Sequence, residues 1–194
     1  MKEIEKLRAG LEYNFEDAEV NSTKPRAIKY CEMLNKTSLL KSKKREEITR
    51  KLLGSTKLNP CLMPVFNCEN GLNISVGDNF FTNYNVTILD IAPVTIGDFV
   101  MIGPTVLITT VGHPLSPKGR KQRLAKASPI NIGSNVWIGG NAVILPGVTI
   151  GDNVVIGAGA VVTKDIPSNS VAMGVPARIV KEIENDLIDT VKAD

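Results

Sequence analysis

Residues Ile132 to Pro167 read IGSNVW IGGNAV ILPGVT IGDNVV IGAGAV VTKDIP when set out in sixes. Ile132, Ile138, Ile144, Ile150, Ile156 and Val162 open the six blocks, and each is β-branched and aliphatic. Gly133, Gly139, Gly151 and Gly157 follow four of them, and Val136, Ala142, Val148, Val154, Ala160 and Ile166 hold a second apolar position. A period of six matches neither the 3.6 of a helix nor the plain alternation of a strand. It matches a solenoid of short strands joined by turns. A β-branched residue fills the inward position of each strand. The glycine after it is expected to take the turn at positive φ. Three faces per coil predict the stacked pairs Ile132/Ile150, Ile138/Ile156 and Ile144/Val162, in coils about 4.8 Å apart. Because each coil buries its interior only against its neighbours, several coils are required.

The same period extends toward the N-terminus. Ile96-Gly97, Ile102-Gly103 and Ile108 keep strict sixes, and Ile74-Ser75-Val76-Gly77 is the first recognisable block. Ile108 and Ile132 are in phase, yet too much chain separates them for one hexad, so residues 112–129 are read as a loop extruded from the rod. The loop opens at His113 and carries Lys118, Arg120, Lys121, Arg123 and Lys126. Residues 1–58 have another texture, with apolar residues at helical spacing. A short helix is expected to end near Gly10, a second to start at Thr23-Lys24-Pro25, and a third to be capped by Ser42 with Ile48, Leu52 and Leu53 on one face. Lys41, Lys43, Lys44 and Arg45 read as a solvated face. The division is therefore 1–58 helical, 59–180 solenoid and 181–194 a C-terminal helix, with Met173–Arg178 an extended exit between the last two.

Composition narrows the function classes. A 43% hydrophobic content suits a globular chain, and a net charge of +3 is too small to imply nucleic-acid binding, all the more because the basic loop lacks interleaved aromatics. No apolar run reaches membrane-span length and no signal-peptide core is present, so a cytoplasmic protein without membrane or nucleic-acid partners is expected. Cys31, Cys61 and Cys68 read as reduced thiols. His113 is the one histidine, which excludes a three-histidine metal site and leaves no metal requirement in this reading.

VTIGDFVMIGP, VGHPL, the Ile132–Pro167 run and GVPARIV together resemble the hexapeptide-repeat O-acetyltransferases, in the maltose, galactoside and nodulation branch. LRAGLEYNFEDAEV resembles the helical segment that precedes the solenoid in that branch. The resemblance covers nearly the whole chain. It implies a mainly β protein, a left-handed parallel β-helix despite the usual right-handed crossover preference. It further implies a homotrimer with active sites between subunits, acetyl-CoA as donor, and a sugar hydroxyl as acceptor. His113 falls on the family's catalytic histidine, and Asn83 on an asparagine that binds substrate and stabilises the transition state. Trp137, Gly139, Gly140, Ala158, Thr163, Lys164, Arg178 and Lys181 fall on donor-contacting positions. Glu69 and Asp90 fall at or beside acceptor positions. There the chain departs from the pattern, as it does at Phe15, Ile91 and Ala125.

Imidazole suits the chemistry, because an attacking alcohol must lose its proton near neutral pH. A backbone N–H of the Gly139–Gly140 turn would hold the thioester oxyanion. A covalent route would need an activated thiol, for which Cys68 is the nearest candidate. Acetylation of another small molecule such as an antibiotic, and a non-catalytic scaffold, stand as alternatives.

Overall fold

Set six apart, the aliphatic residues all turn inward. In the computed structural model, which describes residues 1–184, Ile132, Ile138, Ile144, Ile150, Ile156 and Val162 are each no more than 3% exposed. Burying a side chain of this size stabilises by roughly 1.5–3 kcal/mol, so the column they form is a main source of stability. The stacked pairs are those the period predicts: Ile132 on Ile150, Ile138 on Ile156 and Ile144 on Val162, all in parallel strands.

The coils have three faces, each a sheet built from every third strand. In chain order the first face begins with Ser55–Thr56, the second with Cys61–Leu62 and the third with Phe66–Cys68. The rod thus starts ahead of residue 59 and ahead of Ile74. Ser55 and Thr56 pair with Ser75 and Val76, although their coil lacks the aliphatic-glycine signature. Val76 stacks on Ile96, so the extra residues between them are absorbed in the turns.

At the turns the glycines behave differently from the expectation. Positive φ falls two residues after the hexad glycine, on Asn135 (57°), Asn141 (59°) and Asn153 (53°), residues that tolerate the left-handed region. The hexad glycine serves close stacking instead. A Cβ on Gly139 would lie 2.6 Å from the Ala158 nitrogen of the next coil, and one on Gly151 would lie 2.5 Å from Ser168 N.

Two of the three N-terminal helices, α2 (Lys24–Lys36) and α3 (Ser42–Leu52), cover one end of the rod, while α1 (Glu3–Arg8) packs Ile4 and Leu7 against Tyr13, Val20 and Ala125. Ala27, Cys31 and Leu34 bury one face of α2, and Ile48 and Leu52 one face of α3. Ser42 is the first residue of α3 rather than its cap. Asn35 satisfies the terminal strand of the third face, accepting from Phe66 N and donating to Phe66 O at 2.9 Å each. Arg45 corrects the solvated-face reading: it is 7% exposed and donates to the carbonyls of Leu34, Thr37 and Leu62 at 2.6–2.7 Å. Its guanidinium ties both helices to the terminal strand of the second face.

The extruded segment is itself ordered. Val111–Gly112 and Leu124–Ala127 form an antiparallel ladder, α4 (Pro117–Lys121) spans its tip, and Ser128 N donates to Thr110 O at 2.8 Å across its neck. Tyr13–Asn14 adds a third strand, with Tyr13 opposite Ala125 and Asn14 opposite Leu124. At the far end, Met173–Arg178 is a reversal rather than an extended exit: Ser170–Met173 folds back on Arg178–Glu182 as an antiparallel pair. Lys181 and Glu182 therefore lie in a strand, not at a helix start, and residues 185–194 of the expected helix lie outside the described residues.

Candidate active site

The chain leaves the rod after Leu107–Thr109, the middle strand of the third face, and His113 follows the first extruded strand directly. Its Nδ1 lies 3.0 Å from Leu124 O. A carbonyl can only accept, so Nδ1 carries a proton, and in the neutral imidazole Nε2 is then the nitrogen that keeps its lone pair. The Phe15 ring meets the imidazole edge to face, with centroids 5.1 Å apart and planes at 75°. Side-chain exposure leaves the imidazole open to solvent on its remaining side.

Asn83 occupies another edge. Its N–H donates to Ile102 O, Gly103 N to Ile138 O, Gly139 N to Ile156 O and Gly157 N to Ala172 O, all within 2.7–2.8 Å. Asn83, Gly103, Gly139 and Gly157 are therefore one column, at the edge between the second and third faces. Gly140 and Ala158 lie beside it, and Met173, next in the column, pairs with Arg178. The Gly139 N–H is consumed in the ladder, so an oxyanion donor in this turn can only be Gly140, whose N–H has no hydrogen-bond partner among the described residues.

Thr163 and Lys164 are not on that edge. Val162 stacks on Ile144 and Ile144 on Ile108, which sets Thr163 and Lys164 at the edge between the third and first faces, where the His113 segment departs. The third face separates the two groups by about 15 Å of nearly extended chain. One copy thus carries His113, Thr163 and Lys164 on one edge and Asn83, Gly139, Gly140, Ala158 and Arg178 on the other.

Trp137 and Lys181 belong to neither edge. Trp137 pairs with Met101 and Val155, and Val171, stacked on Val155, pairs with Lys181, so they share a row on the second face. Phe99, Met101 and Trp137 are each more than half exposed there and line a groove of about 480 Å³.

Near the Tyr13–Asn14 strand, the N-terminal strap across the extruded segment, Glu69 pairs with Lys24 at 2.8 Å. Asp90, read as a substrate contact, is fully buried and takes a supporting place: its Oδ1 accepts from Glu69 N at 3.0 Å and Asn70 N at 2.9 Å. Burial pushes its carboxyl pKa up to about 6. Tyr13, 1% exposed, has its phenol pushed up to about 12 by burial and by the Glu69 charge. The hydrogen bond to Cys31, and then burial, push the Cys68 thiol up, the reverse of an activated nucleophile. Among the described residues no group of three or more metal-ligating side chains occurs, and no helix is long and apolar enough to cross a membrane.

Sequence reasoning missed the Leu124 carbonyl, the Phe15 ring and the Lys24–Glu69 pair. The Phe15 contact depends on the Tyr13–Asn14 strand docking against the extruded segment, and two residues carry too little periodicity to announce a strand; the other two join residues far apart in sequence.

Comparison with known proteins agrees with this architecture. Residues 129–164 match the family model described as bacterial transferase hexapeptide (six repeats). Nodulation protein L of Rhizobium meliloti (strain 1021) is 46% identical over 175 residues, covering 90% of this chain and 96% of its own. A maltose O-acetyltransferase from Clostridium difficile 630 superposes with a TM-score of 0.91 at 45% identity, covering 95% of this chain and 98% of that one. A galactoside acetyltransferase in complex with coenzyme A gives a TM-score of 0.92 at 41% identity, covering 95% and 92%.

Proposed function

Because this chain belongs to the hexapeptide-repeat transferases, we propose that it moves an acetyl group from acetyl-CoA to a sugar hydroxyl, with His113 as the general base. The fold is the family's left-handed β-helix, the activity is acetyl transfer, and acetyl-CoA is the co-substrate. The observation that carries the base assignment is the Nδ1–H to Leu124 O hydrogen bond, which leaves Nε2 as the acceptor of a proton.

In the proposed reaction the acceptor oxygen attacks the thioester carbonyl carbon as its proton passes to Nε2. The tetrahedral oxyanion is held by a backbone N–H, for which Gly140 is available. Collapse breaks the C–S bond, and the imidazolium returns the proton to the departing thiolate. Asn83 stands on the same edge as Gly140 and serves the acceptor and the oxyanion region. Glu69, steadied by Lys24, offers the acceptor a carboxylate, with Asp90 supporting it from beneath.

The separation of the residues between two edges favours a site shared by neighbouring copies. One copy would supply His113, Thr163 and Lys164; the next would supply Asn83, Gly139, Gly140, Ala158 and Arg178. The exposed apolar row of Phe99, Met101 and Trp137 supports association, since apolar patches of this kind mark interaction surfaces. In this arrangement Trp137 and Lys181 reach the donor from the second face, and the closed assembly is a homotrimer.

The test is CoA release from acetyl-CoA over a panel of mono- and disaccharides, with light scattering for the assembly. His113→Ala should lower kcat on the order of 10²–10⁴-fold with the acetyl-CoA KM little changed. Wild-type turnover by that variant would remove His113 from the chemistry.

A further inference from the structure

We infer that Phe15 is a positioning residue for His113, a role that rests on the general-base reading above. An exposed imidazole held by one hydrogen bond can still swing about that bond and can exchange tautomers. Here two contacts act together. Leu124 O fixes which nitrogen carries the proton, and the Phe15 ring stands against the imidazole at 75° and 5.1 Å, which fixes the plane. Edge-to-face packing of this kind has a preferred geometry, so it restrains orientation as well as position.

Both contacts come from one ladder. Asn14 pairs with Leu124, and the next residue, Phe15, donates its N–H to Arg123 O at 2.9 Å. Arg123 Nε also meets Glu16 Oε1 at 3.3 Å. Tyr13, 1% exposed opposite Ala125, anchors the other end of the strap. The carbonyl that orients Nδ1 and the ring that orients the plane therefore move as one unit. Phe15 makes no hydrogen bond of its own through its side chain and is only partly buried, so its ring is not required to close the core of the rod. The N-terminal strap thereby links the helical end of the chain to the reacting group.

Because His113 is the one histidine, its ring signals in a ¹⁵N-labelled sample need no assignment by elimination. The experiment records the imidazole tautomer by ¹H–¹⁵N correlation and the steady-state constants, for wild type, Phe15→Ala, Phe15→Leu and Phe15→Tyr. Wild type and Phe15→Tyr should show a single Nδ1–H tautomer and similar kcat. Phe15→Ala lets the imidazole swing off Leu124 O and should therefore show mixed tautomers, with kcat lower on the order of 10–100-fold and acetyl-CoA KM unchanged, since small misplacements of a reacting group have costs of that size. Phe15→Leu, which keeps apolar bulk without a ring, should fall between and guards against a folding defect in the alanine variant. A normal dependence on His113 together with a kcat indifferent to Phe15 overturns the proposal by itself, whatever the spectrum. Wild-type turnover by His113→Ala overturns the general-base reading and this inference with it.

Discussion

Asp90 carries a charge in a place that resists it. Its side chain is fully buried, one oxygen is used by the Glu69 and Asn70 amides, and Oδ2 has no hydrogen-bond partner. Burial raises its pKa from 3.8 to about 6. The folded state therefore binds the proton more tightly than the unfolded chain. The stability contribution is full below about pH 4 and is lost as pH rises through about 6, approaching roughly 3 kcal/mol at about 1.36 kcal/mol per unit. Asp90→Asn keeps an oxygen for the two amides and cannot ionise. Urea denaturation at pH 4, 5, 6 and 7 should show wild type losing stability relative to the variant across that window. Parallel curves would refute the assignment. Nothing in the local sequence LDIAP reveals this burial. The sequence places Asp90 beside an acceptor position, as an exposed contact would be, and its burial depends on tertiary packing that local sequence does not carry.

At the scale of elements, the turns and the helical end show where sequence periodicity stops informing. The stacked isoleucines were legible because one residue type recurs at one spacing. The corner asparagines recur as regularly, but the glycines drew the conformational argument when close stacking was their role. The first coil is legible only in part: a solenoid starting at residue 59 takes in Cys61 and Phe66 but leaves out Ser55–Thr56, because none of the three strands carries the aliphatic-glycine signature. Arg45 lay within a run of cations and looked solvated, yet it satisfies three carbonyls where α2, α3 and the second face meet. Arg45→Met should destabilise by roughly 2–4 kcal/mol, because it strips donors from buried carbonyls. Arg45→Lys should recover less than half, since a single ammonium cannot span three acceptors in a planar fork. Chemical denaturation measures both, and a wild-type midpoint for Arg45→Met would show the contacts to be incidental.

On the scale of the molecule, a rod carries the proposed site residues on two edges that its own geometry keeps apart. Face width is set by strand length, so no side-chain rearrangement within one copy can close the gap between Asn83 and the His113 edge. A resemblance to the family could be read from motifs, and so could the residues it implies. Their division between edges could not, because residues such as Ala158 and Thr163 are close in sequence and yet lie at opposite ends of the Val161–Val162 strand of the third face. The central claim is a site built by His113 of one copy and Asn83 of the next, and subunit complementation tests it most directly. His113→Ala and Asn83→Ala proteins are to be purified separately, dissociated, mixed in equal amounts and reassembled, and their CoA release compared with that of each alone. A shared site predicts that the mixture regains roughly a quarter of wild-type activity, because random assembly pairs two intact contributions at about one interface in four. A mixture no more active than its two components would contradict the shared site.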